Sequence, residues 1–348
     1  MKETNAAHDL LGRELKSGWK VTRKIEKHET STGSFFSVCY EVQKDKRVCF
    51  LKAFDFAKFF QLAKSAEIVD VMADMLNAYK YEKQLSDLCK TSHVTKVVYV
   101  NEAGEETIPE YTIPVVPYLI FDLADGDVRS RLEFSDGLDF AWRLKSLHDI
   151  SIGIRQLHKI EISHQDLKPS NILVFDTSSK IGDLGRSVCR LVNGPYDEMC
   201  FSGDFTYAPP EIMYKYFEKD WSKRVFATDC YLLGSMVVFY FAGTSMSALL
   251  QKNLPDKFKV HVYRGPFDQI RPYLLEAFSI SLDEFKNCIS NAFFKEELGW
   301  VVERLCYPLP ENRGHPRNLC GIQNQFNLER FVSKFHHLHL KAEYLLGK

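Results

Sequence analysis

The chain lacks the signatures of several common protein classes. Its 348 residues carry a formal net charge of -1, so no overall basic surface for nucleic acid or anionic membrane is indicated. Nine cysteines without a Cys-x-x-Cys pair argue for reduced thiols in a cytosolic protein, against a disulfide framework or a zinc site. The start is polar, unlike a signal peptide, and the longest apolar run, 231–243, is too short to span a bilayer. We expect a cytoplasmic protein without nucleic-acid or membrane partners; its oligomeric state stays open.

The predicted elements change character about a third of the way along the chain. Before residue 122 the sequence predicts, in order, a strand hairpin (34–40 and 48–53), a long helix (63–90), a strand (94–100), an exposed acidic loop (102–110) and a strand (111–121). The remainder is mainly helical and includes an amphipathic helix with apolar residues at Leu144, Leu147, Ile150, Ile154 and Leu157.

This order predicts an α+β fold with two lobes. Residues 18–121 form a small lobe with an antiparallel sheet and one major helix, and residues 122–318 form a mainly helical large lobe. The hydrophobic fraction of 45% is enough for a sizeable core. Residues 1–17 are an N-terminal extension. The tail, 319–348, has aromatic and leucine spacing that favours a helix packed on the large lobe, with docking of another protein as the alternative.

One short segment concentrates charged and amide side chains suited to phosphate chemistry. Residues 164–171 read His-Gln-Asp-Leu-Lys-Pro-Ser-Asn, and Asp183 begins Asp-Leu-Gly twelve residues after Asn171. The intervening segment reads as strand, polar turn and strand, which returns Asp183 close to Asn171. Asp166 and Lys168 would then supply a base and a cation beside two metal-binding groups, as phosphoryl transfer requires. A polar turn that merely joins two strands is the simpler alternative.

These motifs resemble those of eukaryotic-type protein kinases, whose catalytic loop reads His-Arg-Asp-Leu-Lys-Pro-x-Asn and whose metal motif reads Asp-Phe-Gly. The resemblance implies ATP and Mg²⁺ as cofactors, with Asp166 as catalytic base and Lys168 on the γ-phosphate. It also implies Asn171 and Asp183 as Mg²⁺ ligands. The Lys-Pro pair is similar to the Ser/Thr-directed loop, so a protein substrate is implied.

The resemblance extends to ATP-binding parts of the small lobe. Residues 31–38 align with the glycine-rich loop, of whose three glycines only Gly33 remains, and with its valine, here Val38. Lys52 aligns with the lysine that holds the α- and β-phosphates and pairs with a glutamate. Glu82 and Glu67 compete for that pairing, and Glu82 is preferred because leucines follow it at helical spacing.

Residues 118–127 resemble the hinge that binds adenine, although the apolar part could equally be an ordinary buried strand. By this resemblance Phe121 is the gatekeeper behind the adenine. Backbone groups of Asp122 and Ala124 face the adenine edge, and Asp127 is a candidate for the ribose hydroxyls.

Residues 202–211 resemble the end of a kinase activation segment, the stretch from Asp183 to Glu211. Asp204 stands where Ser/Thr kinases carry a threonine; an acidic group there could still pair with Lys168, but we expect it to bring like-charge repulsion close to Asp166. The structural supports implied by the resemblance are His164, Gly185, Glu211, Asp229 and Arg313. Glu211 and Arg313 would form a buried ion pair, and Asp229 would orient the catalytic loop or simply cap a helix.

Departures from the family's pattern in the glycine-rich loop, at Gln165 and at Asp204 keep alternatives open. Gln165 replaces the arginine that binds an activation-segment phosphate in many kinases, so we hypothesise that activity does not depend strongly on such phosphorylation. The sequence favours an active Ser/Thr protein kinase. A pseudokinase acting as a nucleotide-binding scaffold, or a kinase-fold enzyme for a small molecule, are the other readings.

Overall fold

A five-stranded antiparallel sheet with one long helix forms the first part of the protein. The computed structural model describes residues 5–26, 37–56, 58, 68–133, 140–320 and 324–346. The strands are β1 Lys20–Ile25, β2 Ser37–Lys44, β3 Arg47–Phe54, β4 Val100–Thr107 and β5 Val115–Asp122, in the spatial order β1-β2-β3-β5-β4. Helix α1, Ile68–Thr91, connects β3 to β4. The predicted β2–β3 hairpin and the long helix are confirmed.

The acidic segment 102–110 was expected to be a loop, and this expectation is wrong for its first part. Strand β4 begins at Val100 and continues to Thr107 along the edge of the sheet. Charged side chains are common on edge strands, where they oppose pairing with another chain. Glu102 is engaged within the fold, because its carboxylate accepts a hydrogen bond from Trp19 Nε1 at 2.9 Å.

Residues before β1 cover one face of this sheet. Ala6, Leu10 and Leu15 are buried in the same apolar cluster as Tyr40 and Leu51. The Tyr40 hydroxyl also donates to the Ala7 carbonyl oxygen at 2.8 Å. The strands alternate faces, so residues in this cluster point away from the opposite face, which borders the candidate site.

The large lobe is mainly helical, as predicted, with short strands near the connection. Its helices are α2 Val128–Glu133, α3 Phe140–Lys159, α4 Pro210–Met213, α5 Trp221–Ala242, α6 Met246–Asn253, α7 Phe267–Asn287, α8 Ala292–Leu305, α9 Pro316–Leu319 and α10 Glu329–Leu346. Its strands are β6 Gly126–Asp127, β7 Ile162–Ser163, β8 Ile172–Phe175, β9 Ser178–Ile181 and β10 Val188–Cys189. The β8–β9 pairing confirms the predicted hairpin after the catalytic loop.

Buried helices form the centre of the large lobe. The predicted apolar face of α3 is fully buried, and α10 packs along this helix, as expected for the tail. By length and apolarity α5 could cross a membrane, but 83% of its most apolar window is buried, as in the core helix of a folded domain. All nine cysteines are free thiols.

Candidate active site

A cavity of about 480 Å³ opens between the five-stranded sheet and the β8–β9 hairpin. This volume is within the range of roughly 300–1,000 Å³ typical of small-molecule sites. The lining residues come from the small lobe, from the connection after β5 and from the catalytic segment, and include Cys39, Phe50, Lys52, Glu82, Phe121, Asp122, Ala124, Asp127, Asn171, Leu173 and Asp183.

Lys52 forms the charged centre of the small-lobe side. Its Nζ lies 2.9 Å from both carboxylate oxygens of Glu82 and 3.0 Å from Asp183 Oδ1. Burial opposes the charge, but the carboxylates of Asp183 and Glu82 outweigh it and raise the pKa of Lys52. Glu82 is therefore the glutamate that lies against Lys52, while Glu67 lies outside the described residues.

The side chain of Asp229 on α5 fixes the backbone of the catalytic loop. The Asp229 carboxylate accepts the backbone N–H groups of His164 at 2.8 Å and Gln165 at 2.9 Å, and its Oδ2 lies 2.9 Å from His158 Nε2. Gln165 adopts a left-handed conformation with φ of 64°. Such a conformation is unfavourable for a residue with a side chain, so these hydrogen bonds help to hold the loop in it.

Asp166 is held by three donors. Its Oδ2 accepts from Asn171 Nδ2 at 3.0 Å and lies 3.1 Å from Lys168 Nζ, while its Oδ1 accepts the backbone N–H of Asp204 at 2.8 Å. The carboxylate is 7% exposed, so its orientation is set by these contacts and not by solvent. A carboxylate fixed in this way beside Asn171, which itself lines the cavity, has the geometry of a general base.

The side chain of Asp204 makes the contact with Lys168 that the sequence left open. Its Oδ1 accepts both the N–H and the hydroxyl of Thr206, at 3.0 and 2.7 Å, and its Oδ2 lies 3.5 Å from Lys168 Nζ. The Lys168 ammonium is thus shared by the carboxylates of Asp166 and Asp204, which offsets the expected like-charge repulsion. Although burial opposes ionisation, the bonds from Thr206 and the charge of Lys168 lower the pKa of Asp204.

Asp183 and Asn171 suit a divalent metal ion. Both line the same cavity, and carboxylate and amide oxygens are hard ligands of the kind Mg²⁺ prefers. Burial disfavours the anion of Asp183, but the Lys52 ammonium dominates and lowers the pKa of Asp183 to about 2. Asp183 therefore stays ionised at neutral pH, as a metal ligand must.

The structure corrects the expectation for Val38. Its side chain belongs to the apolar cluster on the far side of the sheet, whereas Cys39 lines the cavity. Alternation along β2 explains the difference, because Cys39 stands directly opposite Lys52 in the β2–β3 pairing. The same alternation places Phe50, two residues before Lys52, on the cavity face. The Val-Ala-Ile-Lys motif carries alanine there, a signal that could have been read from the sequence.

The remaining predicted nucleotide contacts line the cavity where the structure describes them. Phe121, Asp122, Ala124 and Asp127 all border it, while Gly33 lies outside the described residues. Asp127 also accepts the backbone N–H of Ser130 at 2.8 Å and so caps α2.

The predicted structural supports are also brought into contact with the site. Arg313 donates to the two oxygens of Glu211 at 2.7 and 2.9 Å in a buried bidentate pair. His164 Nε2 lies 3.0 Å from the Gly182 carbonyl oxygen, just before Asp183. Gly185 leaves room for Glu82, since a Cβ at this position would lie 3.0 Å from Glu82 Oε2.

Comparisons with known proteins identify the family. The model of the protein kinase domain matches residues 61–292, about two thirds of the chain.

The serine/threonine-protein kinase DCLK1 of Rattus norvegicus is 31% identical over 112 residues, 30% of this chain and 25% of that protein. The alpha subunit of the inhibitor of nuclear factor kappa-B kinase of Gallus gallus is 30% identical over 169 residues, 45% of this chain and 20% of that protein. The serine/threonine-protein kinase greatwall of Danio rerio is 27% identical over 133 residues, 38% of this chain and 14% of that protein. These matches span a quarter or less of each relative's length. By its matched domain and its two-lobed fold, the chain belongs to the protein kinase domain family.

Proposed function

We propose that the chain transfers the γ-phosphoryl group of ATP to serine or threonine hydroxyls of protein substrates, with Mg²⁺ and with Asp166 as the catalytic base. One observation carries the proposal. The Lys52–Glu82–Asp183 ion cluster lines a cavity of ligand size together with Asn171, and the amide of Asn171 donates to Asp166 beside Lys168.

In this proposal each charged group has its own task. Asp166 accepts the proton of the substrate hydroxyl, because its carboxylate is held in place by donors from three residues. A lysine ammonium has three N–H donors. Two donors of Lys168 face carboxylates, which leaves one for the phosphoryl group in transit. Lys52 binds the remaining phosphates of the nucleotide. Mg²⁺ on Asn171 and Asp183 would neutralise charge on the phosphates.

Two observations favour serine and threonine acceptors, and a third favours a cytoplasmic location. Lys168 is followed by Pro169, as in the Ser/Thr-directed form of the catalytic loop. DCLK1 and greatwall are both named serine/threonine-protein kinases, although they match over limited segments. The free thiols of all nine cysteines agree with a reducing compartment.

A transfer assay tests the proposal. Purified protein is incubated with labelled ATP, Mg²⁺ and a generic acceptor protein, beside an Asp166→Ala variant whose folding is checked by thermal unfolding. We expect label on serine and threonine of the acceptor in the wild type, none in the variant and none after Mg²⁺ is chelated. Equal labelling in wild type and variant would contradict the role of Asp166.

A nucleotide-binding scaffold without turnover is the second candidate, favoured by Phe50. This ring lies on the cavity face and its centroid is 6.2 Å from that of Phe121, so two aromatic rings narrow the space available to a base. ATP binding without any transfer to acceptor proteins, in wild type and variant alike, would support the scaffold.

A further inference from the structure

The activation segment, residues 183–211, passes the catalytic loop at a position where Gln165 is already fully engaged. Its Nε2 donates to Ser163 Oγ at 2.7 Å and to the Val225 carbonyl oxygen at 3.1 Å, and the residue is 2% exposed. A side chain held in this way cannot bind a phosphate on the segment. Something other than a phosphate clamp must therefore hold the segment in its observed place.

Close packing replaces the clamp at the end of the segment nearest the catalytic loop. A Cβ added to Gly203 would lie 2.1 Å from the backbone oxygen of Gln165, so the two backbones are in direct contact. The Ser202 hydroxyl donates to the Arg186 carbonyl oxygen at 2.5 Å and joins the two ends of the segment.

The middle of the segment packs against α1. A Cβ added to Gly194 would lie 2.4 Å from Tyr81 Cζ, and the Tyr81 side chain is almost completely buried. Gly194 is not among the residues with positive φ, so its backbone is compatible with any side chain and only space requires glycine. Its N–H also donates to Asp197 Oδ2 at 2.7 Å, which closes a tight turn against the ring.

Two glycines of the segment thus contact two consecutive residues of α1. Gly194 contacts Tyr81, while Gly185 lies against the carboxylate of Glu82, the residue that binds Lys52. Tyr81 and Glu82 share one helix, so a displacement of the first moves the second. The guanidinium of Arg186 lies 5.3 Å from the centre of the ring of Tyr196, two residues after Gly194, which adds a cation–π interaction inside the segment.

We propose that Tyr81 and Gly194 are positioning residues: their contact holds Glu82 against Lys52 and fixes the activation segment without phosphorylation. This inference rests on the proposed function, because it assigns a role in catalysis to the Lys52–Glu82 pair. It also supplies a physical basis for activity without an activation-segment phosphate.

The test uses four variants of the full chain. Gly194→Ala inserts a methyl group into the space of the ring, and we expect kcat to fall roughly tenfold, with little change in the KM for the acceptor protein. Tyr81→Phe keeps the ring and is the matched control, so its kcat should stay close to wild type. Tyr81→Ala removes the ring and should lower kcat as Gly194→Ala does. The kcat of the double variant Gly194→Ala/Tyr81→Ala should be no lower than that of Tyr81→Ala alone, because the contact between the two residues is already lost in Tyr81→Ala.

Hydrogen exchange supplies a readout that does not require turnover. We expect Gly194→Ala to accelerate exchange of amides in residues 78–86 and 190–197, while α5 exchanges as in the wild type. Treatment of the wild type with a phosphatase should leave both segments protected.

Each outcome bears on the contact. Wild-type exchange and wild-type kcat in Gly194→Ala, additive losses in the double variant, or loss of protection after phosphatase treatment would overturn the proposal. A wild type without transfer activity but with the expected exchange pattern would instead refute the proposed function and leave the contact established.

Discussion

Glu211→Ala should destabilise the large lobe severely, because it leaves Arg313 buried without a counter-charge. The Arg313 side chain is 0% exposed, and its two contacts to the Glu211 carboxylate are supplemented by uncharged groups, the backbone oxygens of Tyr307 and Ala227 and the ring of Tyr231. Removing one member of a buried ion pair costs about 3–5 kcal/mol. That loss is a large fraction of the roughly 5–15 kcal/mol that stabilises a typical protein.

Denaturant unfolding of the wild type, Glu211→Ala and the double variant Glu211→Leu/Arg313→Met measures this cost. Exchange of α5 amides serves as the local probe of the large lobe. The double variant removes both charges and should recover most of the stability, since apolar replacement of a buried pair is often neutral or better. A loss below about 1 kcal/mol in Glu211→Ala, or a double variant as unstable as the single one, would refute the reasoning.

Three further predictions follow from individual contacts. Asp204→Ala should lower kcat roughly tenfold, because Lys168 loses one of the two side-chain groups that hold its ammonium, and Asp204→Thr should restore it in steady-state assays, because a threonine hydroxyl oxygen can accept from the same ammonium; equal activity of all three proteins would contradict this. Burial, reinforced by histidines of α10, lowers the pKa of His148, so the unfolded chain takes up its proton first on acidification. The contribution of His148 to the free energy of unfolding should therefore be constant above about pH 6.5 and fall below this pH. When unfolding midpoints are compared, the fall should be smaller in His148→Gln than in the wild type. Phe50→Ala removes one of the two aromatic rings that narrow the cavity. In a competition binding assay the variant should therefore bind an N6-benzyl ATP that the wild type excludes. Exclusion of this nucleotide by both proteins would count against a ring above the base.

Local sequence was sufficient where the functional groups are close in the chain. The hairpin from β8 to β9 needs only a polar turn between two short apolar runs, and it places Asn171 and Asp183 on one cavity. The β2–β3 hairpin, the long helix and the helical remainder were likewise readable from periodicity, whereas residues 94–99, predicted as a strand, precede β4 and belong to no strand. Comparison with a known family added the identities of Lys52 and Asp166.

The register of β2 and the edge position of β4 were harder to predict from the sequence. A correct assignment of Val38 requires knowing which face of the sheet each β2 residue occupies, because a shift of one residue moves every side chain of the strand to the opposite face. The segment 102–107 is acidic enough to resemble a loop, yet the sheet accepts it as an edge strand because its side chains remain near water.

The sequence by itself determined which chemical groups are present, namely carboxylates, an amide and two lysines in a kinase-like order, together with most of the element types that carry them. Only the tertiary structure decided which groups meet. It selected Glu82 for Lys52, turned the Asp204 carboxylate toward Thr206 and Lys168, and set Gly194 against α1. The physical reason is that spacing along the chain fixes local geometry, whereas contacts between distant segments depend on how their faces pack.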